Sequence, residues 1–289
     1  MRRPTSPALP RRRFLRKLAW AGGIVATGFA YTRWVEPTWL QTTQHDVPLS
    51  GGHTTEPIRL LHLSDFHASA AVPLEFIQRA VETGLRWEPD LVVVTGDFIT
   101  WRFEETERYS RVLAPLAKAA PTFACLGNHD GGVWAARSRG YEDSTLVRAV
   151  IAGAGMILLH NANQAVALQG RKLHLVGVGD LWAQEFKPTP AFGGVNARPG
   201  EATLVLAHNP DTKDRVADRP WDLMLSGHTH GGQLRLPLIG EPFAPVRDKR
   251  FVSGLHRWEG RWLHVTKGVG NLHGLRFNCR PEVCRLTLS

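Results

Sequence analysis

A chain of 289 residues, 43% of them hydrophobic, is long enough to bury a large core, and its evenly spread strand signals favour one large domain. The formal net charge of +9 is concentrated at the N-terminus, because residues 1–34 carry eight basic and no acidic side chains. Residues 35–289 hold 27 basic and 26 acidic groups, so charge gives no reason to expect binding of a nucleic acid or another polyanion.

The basic N-terminus is typical of an export signal. Arg11-Arg12-Arg13-Phe14-Leu15 precedes an apolar stretch from Leu18 to Tyr31, and this order resembles the twin-arginine signal of bacterial proteins that are exported folded. We therefore predict export by the twin-arginine machinery to the periplasm or the outer face of the cytoplasmic membrane. A membrane anchor is the alternative, although the apolar stretch is shorter than the ~20 residues that span a bilayer.

Three segments follow from composition. Residues 1–34 form the signal or anchor, residues 35–57 are rich in Pro, Thr and Gly and indicate a linker, and residues 58–289 form the domain. In the first half of that domain strands and helices alternate, which is typical of βα units and a parallel-cored sheet. The elements predicted there are strand Ile58–Leu63, helix Leu74–Arg86, strand Leu91–Val94, helix Glu105–Ala119, strand Thr122–Leu126, helix Ser144–Ala154 and strand Met156–Leu159.

The second half is predicted to be richer in hairpins. One hairpin pairs Ala165–Leu168 with Lys172–Val178, and another pairs Arg250–Arg257 with Arg261–Thr266. Two further apolar runs, Thr203–Ala207 and Leu223–Leu225, are predicted strands. Two sheets packed face to face with helices outside is the simplest arrangement of these elements.

Five groups of polar residues each follow a predicted strand. They are Asp65-Phe66-His67, Gly96-Asp97, Gly127-Asn128-His129-Asp130, His208 and Gly227-His228-Thr229-His230. A single Asp or Gly-Asp after a strand is usually a cap or a turn, but packing alone gives no reason for all five. Together they predict a metal centre at one rim of the sheets.

The residue types indicate what this centre binds. Asp65 and His67 stand two apart, so on an extended strand end both side chains point the same way. Asp97 has two carboxylate oxygens and is able to bridge two ions, while Asn128 offers a carbonyl oxygen. A nitrogen and oxygen donor set without thiolate favours Mn, Fe or Zn. Two such ions activate water and stabilise both oxygens of a phosphoryl displacement.

The order of these motifs over residues 58–289 resembles the calcineurin-like metallophosphoesterase superfamily. The run Gly-His-Thr-His-Gly-Gly-Gln at 227–233 is similar to its bacterial branch of exported and membrane-associated phosphodiesterases. The resemblance implies an α/β fold, a four-layer α/β/β/α sandwich of two mixed sheets flanked by helices. It also implies two divalent metal ions. The ligands implied for one ion are Asp65, His67, Asp97 and His230, and those for the other are Asp97, Asn128, His208 and His228.

The expected function is hydrolysis of a phosphodiester or pyrophosphate bond by attack of a metal-bridging hydroxide. Asp97 joins the two ions, and His129 is expected to stabilise the transition state or protonate the leaving oxygen. Asp130 is expected either to orient an imidazole or to cap a turn. Phe98-Ile99-Thr100 replaces the Val-Asp-Arg-Gly stretch of protein Ser/Thr phosphatases, and a phosphoprotein substrate is therefore disfavoured.

Several alternatives stay open at this point. Some members of the branch hydrolyse UDP-2,3-diacylglucosamine, and this activity fits if the N-terminus is only an anchor; the substrate would then be lipid-linked and the protein would work at a membrane surface. A remote alternative is an exported metal-binding protein without turnover. Cys279 and Cys284 either pair or stay reduced. Trp101, Trp134 and Trp182 pack in the protein or contact an apolar substrate group.

Overall fold

The computed structural model describes residues 11–49 and 56–289, with only the backbone of residues 11 and 12. Its helices are α1 Arg11–Ala30, α2 Leu74–Leu85, α3 Thr106–Ala119, α4 Val133–Arg137, α5 Thr145–Gly153, α6 Pro188–Ala191 and α7 Thr212–Arg215. A π-helical turn at Tyr31–Val35 and a 3₁₀ turn at Glu36–Thr38 follow α1. Among these described residues, no helix is both long enough and apolar enough to cross a membrane.

The strands form two mixed six-stranded sheets. The first sheet contains, in chain order, β1 Gln41–Val47, β2 Ile58–Leu63, β3 Leu91–Thr95, β4 Thr122–Cys125, β5 Ile157–Leu158 and β12 Glu282–Leu288, in the spatial order β1-β12-β2-β3-β4-β5. The second contains β6 Ala162–Leu168, β7 Arg171–Gly177, β8 Ala202–Leu206, β9 Leu223–Ser226, β10 Gly254–Trp258 and β11 Arg261–Val265, in the spatial order β10-β11-β9-β8-β7-β6.

Three apolar clusters divide the molecule into layers. Leu60, Val93 and Phe123 of the first sheet meet Leu204 and Leu223 of the second, so the two sheets pack face to face. The other face of the first sheet carries α2, α3 and α5. The other face of the second sheet packs against the α6 and α7 region, whose helices are only four residues long. The predicted α/β sandwich of two mixed sheets flanked by helices is confirmed.

Two strands were not expected from the sequence. Residues 41–47, within the segment predicted as a linker, form β1 and pair in parallel with β12, which was also missed. The alternating burial of β1 leaves polar side chains facing outward, so its sequence resembles a loop. The strand predicted at Arg250–Arg257 begins only at Gly254, because the side chain of Asp248 accepts the N–H of Arg250 and caps a 3₁₀ turn.

The cysteine alternative is resolved by the fold. All three cysteines are free and buried. Cys279 Sγ lies 3.0 Å from the carbonyl oxygen of His230, and Cys284 Sγ lies 3.1 Å from Thr266 Oγ1. Cys279 and Cys284 therefore do not form the disulfide that their spacing allowed.

Candidate metal centre

The five polar groups meet at one rim of the sandwich. β2, β3 and β4 are mutually parallel in the first sheet, as are β7, β8 and β9 in the second. Their carboxyl ends therefore lie on the same side, and the loops that follow them are hydrogen-bonded to one another. The N–H of Asp65 donates to the carbonyl of Gly96, and the N–H of Gly227 donates to that of His208.

The first set of converging side chains is Asp65, His67 and His230, here called the His67 group. Its ligand atoms lie within 4.8 Å of one another, and all three residues are buried. Nε2 of His67 is 3.0 Å from Nε2 of His230, and Oδ1 of Asp65 is 3.5 Å from the same His230 nitrogen. Residues separated by more than 160 positions are thus brought to one point.

The second set is Asp97, His208 and His228, here called the His208 group. Nε2 of His208 lies 3.0 Å from Oδ2 of Asp97 and 3.2 Å from Nδ1 of His228. The other ring nitrogen of His208, Nδ1, donates to the carbonyl oxygen of Thr95 at 2.7 Å. This bond fixes the ring so that Nε2 faces the group, as is usual for a metal-binding imidazole.

Asp97 lies between the two groups. Its Oδ2 is 3.4 Å from Nε2 of His67 and 3.0 Å from Nε2 of His208, so one carboxylate oxygen faces both. Its Oδ1 accepts the backbone N–H of His129 at 2.9 Å. The arrangement fits the bridging position that the sequence predicts for this residue.

The donor atoms fit divalent cations. Buried polar atoms are normally hydrogen-bonded, yet several here have no partner among the described residues. They are Asn128 Oδ1 and, on the side of each ring away from the short nitrogen–nitrogen contacts, His67 Nδ1, His228 Nε2 and His230 Nδ1. The imidazole pairs at 3.0 and 3.2 Å also have the separation of two nitrogens that each bind one ion at about 2.1 Å and roughly a right angle. Asn128, 1% exposed, has a buried side-chain oxygen without a partner among the described residues.

The backbone at this rim is strained. Asp65, His67, Asp97, His228 and His230 all have positive φ, between 49° and 69°. Such residues are uncommon and concentrate where surrounding structure holds them for a function. The sequence argument that placed Asp65 and His67 on an extended strand end was therefore wrong in its geometry. β2 ends at Leu63, and left-handed turns aim both side chains inward.

Two glycines allow the loops to approach closely. A Cβ added to Gly127 would stand 2.2 Å from Oδ1 of Asp97, and one added to Gly227 would stand 2.1 Å from Oδ2 of Asp65. Neither distance is compatible with a side chain. The glycines in the Gly-Asn-His-Asp and Gly-His-Thr-His motifs therefore make room for the carboxylates of other motifs.

Asp130 has a role that the sequence did not predict. Its Oδ2 accepts the N–H groups of Asp97 and Gly127 at 2.9 and 2.8 Å, and its Oδ1 accepts that of Phe98 at 2.7 Å. The sequence predicts that it orients an imidazole or caps the following turn, but among the described residues its hydrogen bonds go to backbone N–H groups of the loops. It instead ties the loop after β3 to the loop after β4.

His129 lies at the edge of the centre. Its Nδ1 donates to the carbonyl of Thr100 at 2.7 Å, and its ring contacts that of His67 at 4.8 Å and that of Trp134 at 4.3 Å. Trp182, 38% exposed, packs edge-on against His228 at 4.4 Å and also contacts Trp134. Two of the three tryptophans named from the sequence thus form an aromatic wall beside the centre.

Burial and neighbouring charges set the protonation of the donors. Burial, with a smaller effect from His208, lowers the pKa of His228 well below its usual value, and burial followed by the effect of His67 does the same for His230. Neutral imidazoles are the form that binds metal ions. Burial opposes ionisation of Asp97, but the adjacent His208 and His129 bring its pKa well below the usual range. Asp97 is therefore an ionised carboxylate.

Asp180 belongs to this region and was missed in the sequence. It follows Gly179 after β7, 2% exposed, and its Oδ1 accepts the N–H groups of Trp182 and Ala183 at 2.7 and 3.0 Å. These bonds hold the turn that places Trp182 against His228. The available signal was a second Gly-Asp pair after a strand, equivalent to Gly96-Asp97.

Comparison with known proteins identifies the family. The calcineurin-like phosphoesterase family matches residues 58–232, more than half of the chain. The chain belongs to the calcineurin-like phosphoesterases. Phosphodiesterase YaeI of Escherichia coli is 45% identical over 281 residues, which cover 97% of this chain and 99% of that protein. The metallophosphoesterase YkuE of Bacillus subtilis is 30% identical, covering 97% of this chain and 98% of that protein.

A further relative has a more specific name. UDP-2,3-diacylglucosamine pyrophosphatase LpxG of Chlamydia trachomatis is 28% identical over 300 residues, covering 86% of this chain and 89% of that protein. Membership in this hydrolase family, together with the His and Asp groups, identifies the chain as a hydrolase with a site able to bind metal ions.

Proposed function

We propose that this protein is a dinuclear-metal phosphoesterase that hydrolyses a phosphodiester or pyrophosphate bond. The observation that carries the proposal is the position of Asp97, whose Oδ2 faces His67 at 3.4 Å and His208 at 3.0 Å. Two buried donor groups that share one carboxylate are suited to two cations a few Å apart. The short imidazole contacts within the groups and the unpartnered side-chain oxygen of Asn128 support this assignment.

The proposed ligands follow the two groups. Asp65, His67, Asp97 and His230 hold one cation, and Asp97, Asn128, His208 and His228 hold the other. The donor set of nitrogen and oxygen suits Mn, Fe or Zn. When bound, the ions supply Lewis acidity and lower the pKa of water at the site. Asp130 keeps Asp97 in place by accepting its backbone N–H.

His129 is the proposed catalytic residue beside the ligands. Because Nδ1 donates to the carbonyl of Thr100, Nε2 is the nitrogen left to act on a substrate. Burial lowers the pKa of His129 to about 4, so the ring is neutral before substrate binds. A bound phosphate group brings negative charge that favours a proton on Nε2, while burial and the two proposed cations oppose it. That proton stabilises the phosphate oxygens or passes to the leaving oxygen.

A second candidate substrate is UDP-2,3-diacylglucosamine. This substrate is favoured because LpxG of Chlamydia trachomatis, which is named for that activity, aligns over 86% of this chain. Incubation with this nucleotide-linked lipid, with release of UMP as the readout, tests it. If simple diesters are hydrolysed but UMP is not released, the protein is still a phosphoesterase, and UDP-2,3-diacylglucosamine is not its substrate.

The site of action is a separate proposal. We infer export by the twin-arginine route from the residues around Arg13, with the body in the periplasm or on the outer face of the membrane. Fractionation of cells that carry the Arg11→Lys and Arg12→Lys changes should find the protein retained inside. If the protein is exported despite both changes, the twin-arginine route is contradicted. If the protein is found only in the inner membrane, the N-terminus is a membrane anchor.

The activity itself is tested with chelator-treated protein reloaded with Mn²⁺. Bis-p-nitrophenyl phosphate should be hydrolysed, and Asp97→Ala should lower kcat/KM by on the order of 10³-fold, because both groups lose their shared oxygen. Asp218→Ala, on an exposed side chain, is the matched control. If wild type binds metal without turnover, or if Asp97→Ala matches wild type, the protein is a metal-binding protein rather than an enzyme of this kind.

A further inference from the structure

An apolar groove opens beside the His67 group. It has a volume of about 380 Å³, and its lining includes His230, Gln233, Leu234, Phe243, Leu272 and Leu275. His230 belongs to both the groove lining and the His67 group, so the groove borders the metal centre.

Backbone hydrogen bonds hold the two loops that form the walls of the groove. Leu234 pairs with Phe277 in a parallel bridge, and the N–H of Arg235 donates to the carbonyl of Phe277 at 2.9 Å. The loop that carries Leu272 and Leu275 is thereby held beside the loop that follows His230. Gln233, at φ 60°, makes a sharp turn within the loop that follows His230. The walls are thus joined by backbone hydrogen bonds before any ligand binds.

Exposed apolar side chains surround the groove. Phe243 is 67% exposed although it lines the groove, and Leu238 and Ile239 on the same loop are exposed without lining it. Apolar side chains are also exposed along α1, whose C-terminal end reaches this loop system. The carbonyl of Thr32 accepts the N–H of Arg276, and the side chain of Arg33 donates to the carbonyl of Gly274. Exposed apolar surface of this extent marks contact with an apolar partner.

A second cavity, beside the His208 group, is more polar. This cavity, of about 260 Å³, is lined by Trp182, Asn209, Asp211 and Arg247. Asn209 is 1% exposed, and its Nδ2 has no hydrogen-bond partner among the described residues. This polar cavity suits a hydrophilic group, so the groove and the cavity differ in the ligand they favour.

We propose that the groove binds a hydrocarbon chain of the substrate, so that the bond cleaved joins a lipid to a polar group. The chain leaves the phosphorus on the His230 side, and the polar group lies on the Trp182 side. This inference rests on the proposed function and specifies its substrate class. Burial of the chain against Phe243, Leu272 and Leu275 supplies the selectivity, because each buried methylene adds to binding.

The test compares two phosphodiesters with the same leaving group. Methyl p-nitrophenyl phosphate and octyl p-nitrophenyl phosphate are assayed with the Mn²⁺-loaded full chain, below the concentration at which the octyl ester forms micelles. We expect kcat/KM to favour the octyl ester about tenfold or more. Phe243→Ser and Leu272→Gln should each reduce this ratio toward one.

Leu238→Ser is the matched control, because it removes an exposed leucine of the same loop that does not line the groove. Its octyl-to-methyl ratio should equal that of wild type. A wild-type ratio near one, or a ratio unchanged in Phe243→Ser and Leu272→Gln, overturns the inference. An equal fall in Leu238→Ser also overturns it, since adsorption to the exposed loop would then explain the preference.

A binding measurement separates this inference from the proposed function. Calorimetry with octyl phosphate and methyl phosphate reports on the groove even if neither ester is hydrolysed. If octyl phosphate binds more tightly than methyl phosphate, and Phe243→Ser abolishes this difference, binding of a hydrocarbon chain in the groove is supported. Absence of turnover would contradict only the proposed enzymatic function. Equal binding of both phosphates contradicts the groove regardless of activity.

Discussion

Two sets of buried histidines in this molecule both contain a short nitrogen–nitrogen contact, but they differ in backbone conformation and in the partners of their other ring nitrogens. His62 and His264 face each other between the sheets, with their Nδ1 atoms 2.9 Å apart and Nε2 of His62 2.8 Å from Thr95 Oγ1. Both lie on regular strands. The histidines of the metal centre lie in loops, and His228 and His230 have left-handed backbone and unpartnered nitrogens.

The comparison shows what distinguishes a structural histidine from a metal ligand. Burial alone does not, because both sets are excluded from solvent. The distinguishing features are a carboxylate within reach, a strained backbone and a ring nitrogen without a partner.

The largest effect is expected for a change in the metal centre. His228→Asn should lower kcat/KM by on the order of 10³-fold because one proposed ligand is lost. Asn tolerates positive φ, so the free energy of unfolding should change little. Steady-state kinetics and urea unfolding measure the two quantities. Near-normal activity with a large loss of stability would place His228 with the structural histidines.

A smaller effect is expected for Gly227→Ala. The new methyl group overlaps Oδ2 of Asp65 and Ser64 Oγ, so the carboxylate must move. A shift of about 1 Å at a reacting group lowers the rate by about 100-fold. Gly193→Ala, where the added Cβ would meet its nearest atom at 3.2 Å, is the control. Full activity of Gly227→Ala would mean that the position of Asp65 is not critical.

A change in the structural pair His62 and His264 should lower stability and leave activity unchanged. His62→Ala leaves Nδ1 of His264 and the hydroxyl of Thr95 without a partner between the sheets, at a cost of about 2 kcal/mol in unfolding free energy. The specific activity of the folded fraction should stay at the wild-type level. A loss of activity without a loss of stability would contradict the structural role.

The pH dependence of stability gives the smallest effect. Burial lowers the pKa of His264 to about 3, against a weaker opposite effect of Glu282, while His45 and His256 lower it further. The unfolded chain, with a usual His pKa of about 6.5, binds more protons, so stability falls as the pH drops below that value.

The matching measurement is urea unfolding at pH 7.5 and 5.5. The loss of unfolding free energy should be smaller in His264→Gln than in wild type by about 1.4 kcal/mol, which corresponds to one pH unit below the unfolded pKa. Equal losses in both proteins would mean that His264 does not titrate as a buried neutral group.

The sequence allowed much of the fold to be predicted where local pattern decides it. The apolar run of β3 and the periodicity of α2 were found to within a residue. β1 was missed because it is half exposed and its partner β12 lies at the other end of the chain, and β12 was missed although it pairs with both β1 and β2. No local pattern contains that pairing.

The site shows the same limit. Asp65, His67, Asp97 and the three distant histidines were named from motif order, and the fold brings their ligand atoms into two groups. Asn128 was named with them and is buried. The left-handed turns at Asp65 and His67 and the clamp by Asp130 were not foreseen, because they depend on loops from several strands. The contact of Trp182 with His228 likewise depends on the buried turn at Asp180.

The most direct test of the account is a crystal structure of the Mn²⁺-loaded protein with anomalous diffraction at the manganese edge. We expect two peaks, each about 2.2 Å from an oxygen of Asp97, one beside His67 and His230 and the other beside Asn128, His208 and His228. A single peak, or peaks that do not involve Asp97, would contradict the dinuclear centre.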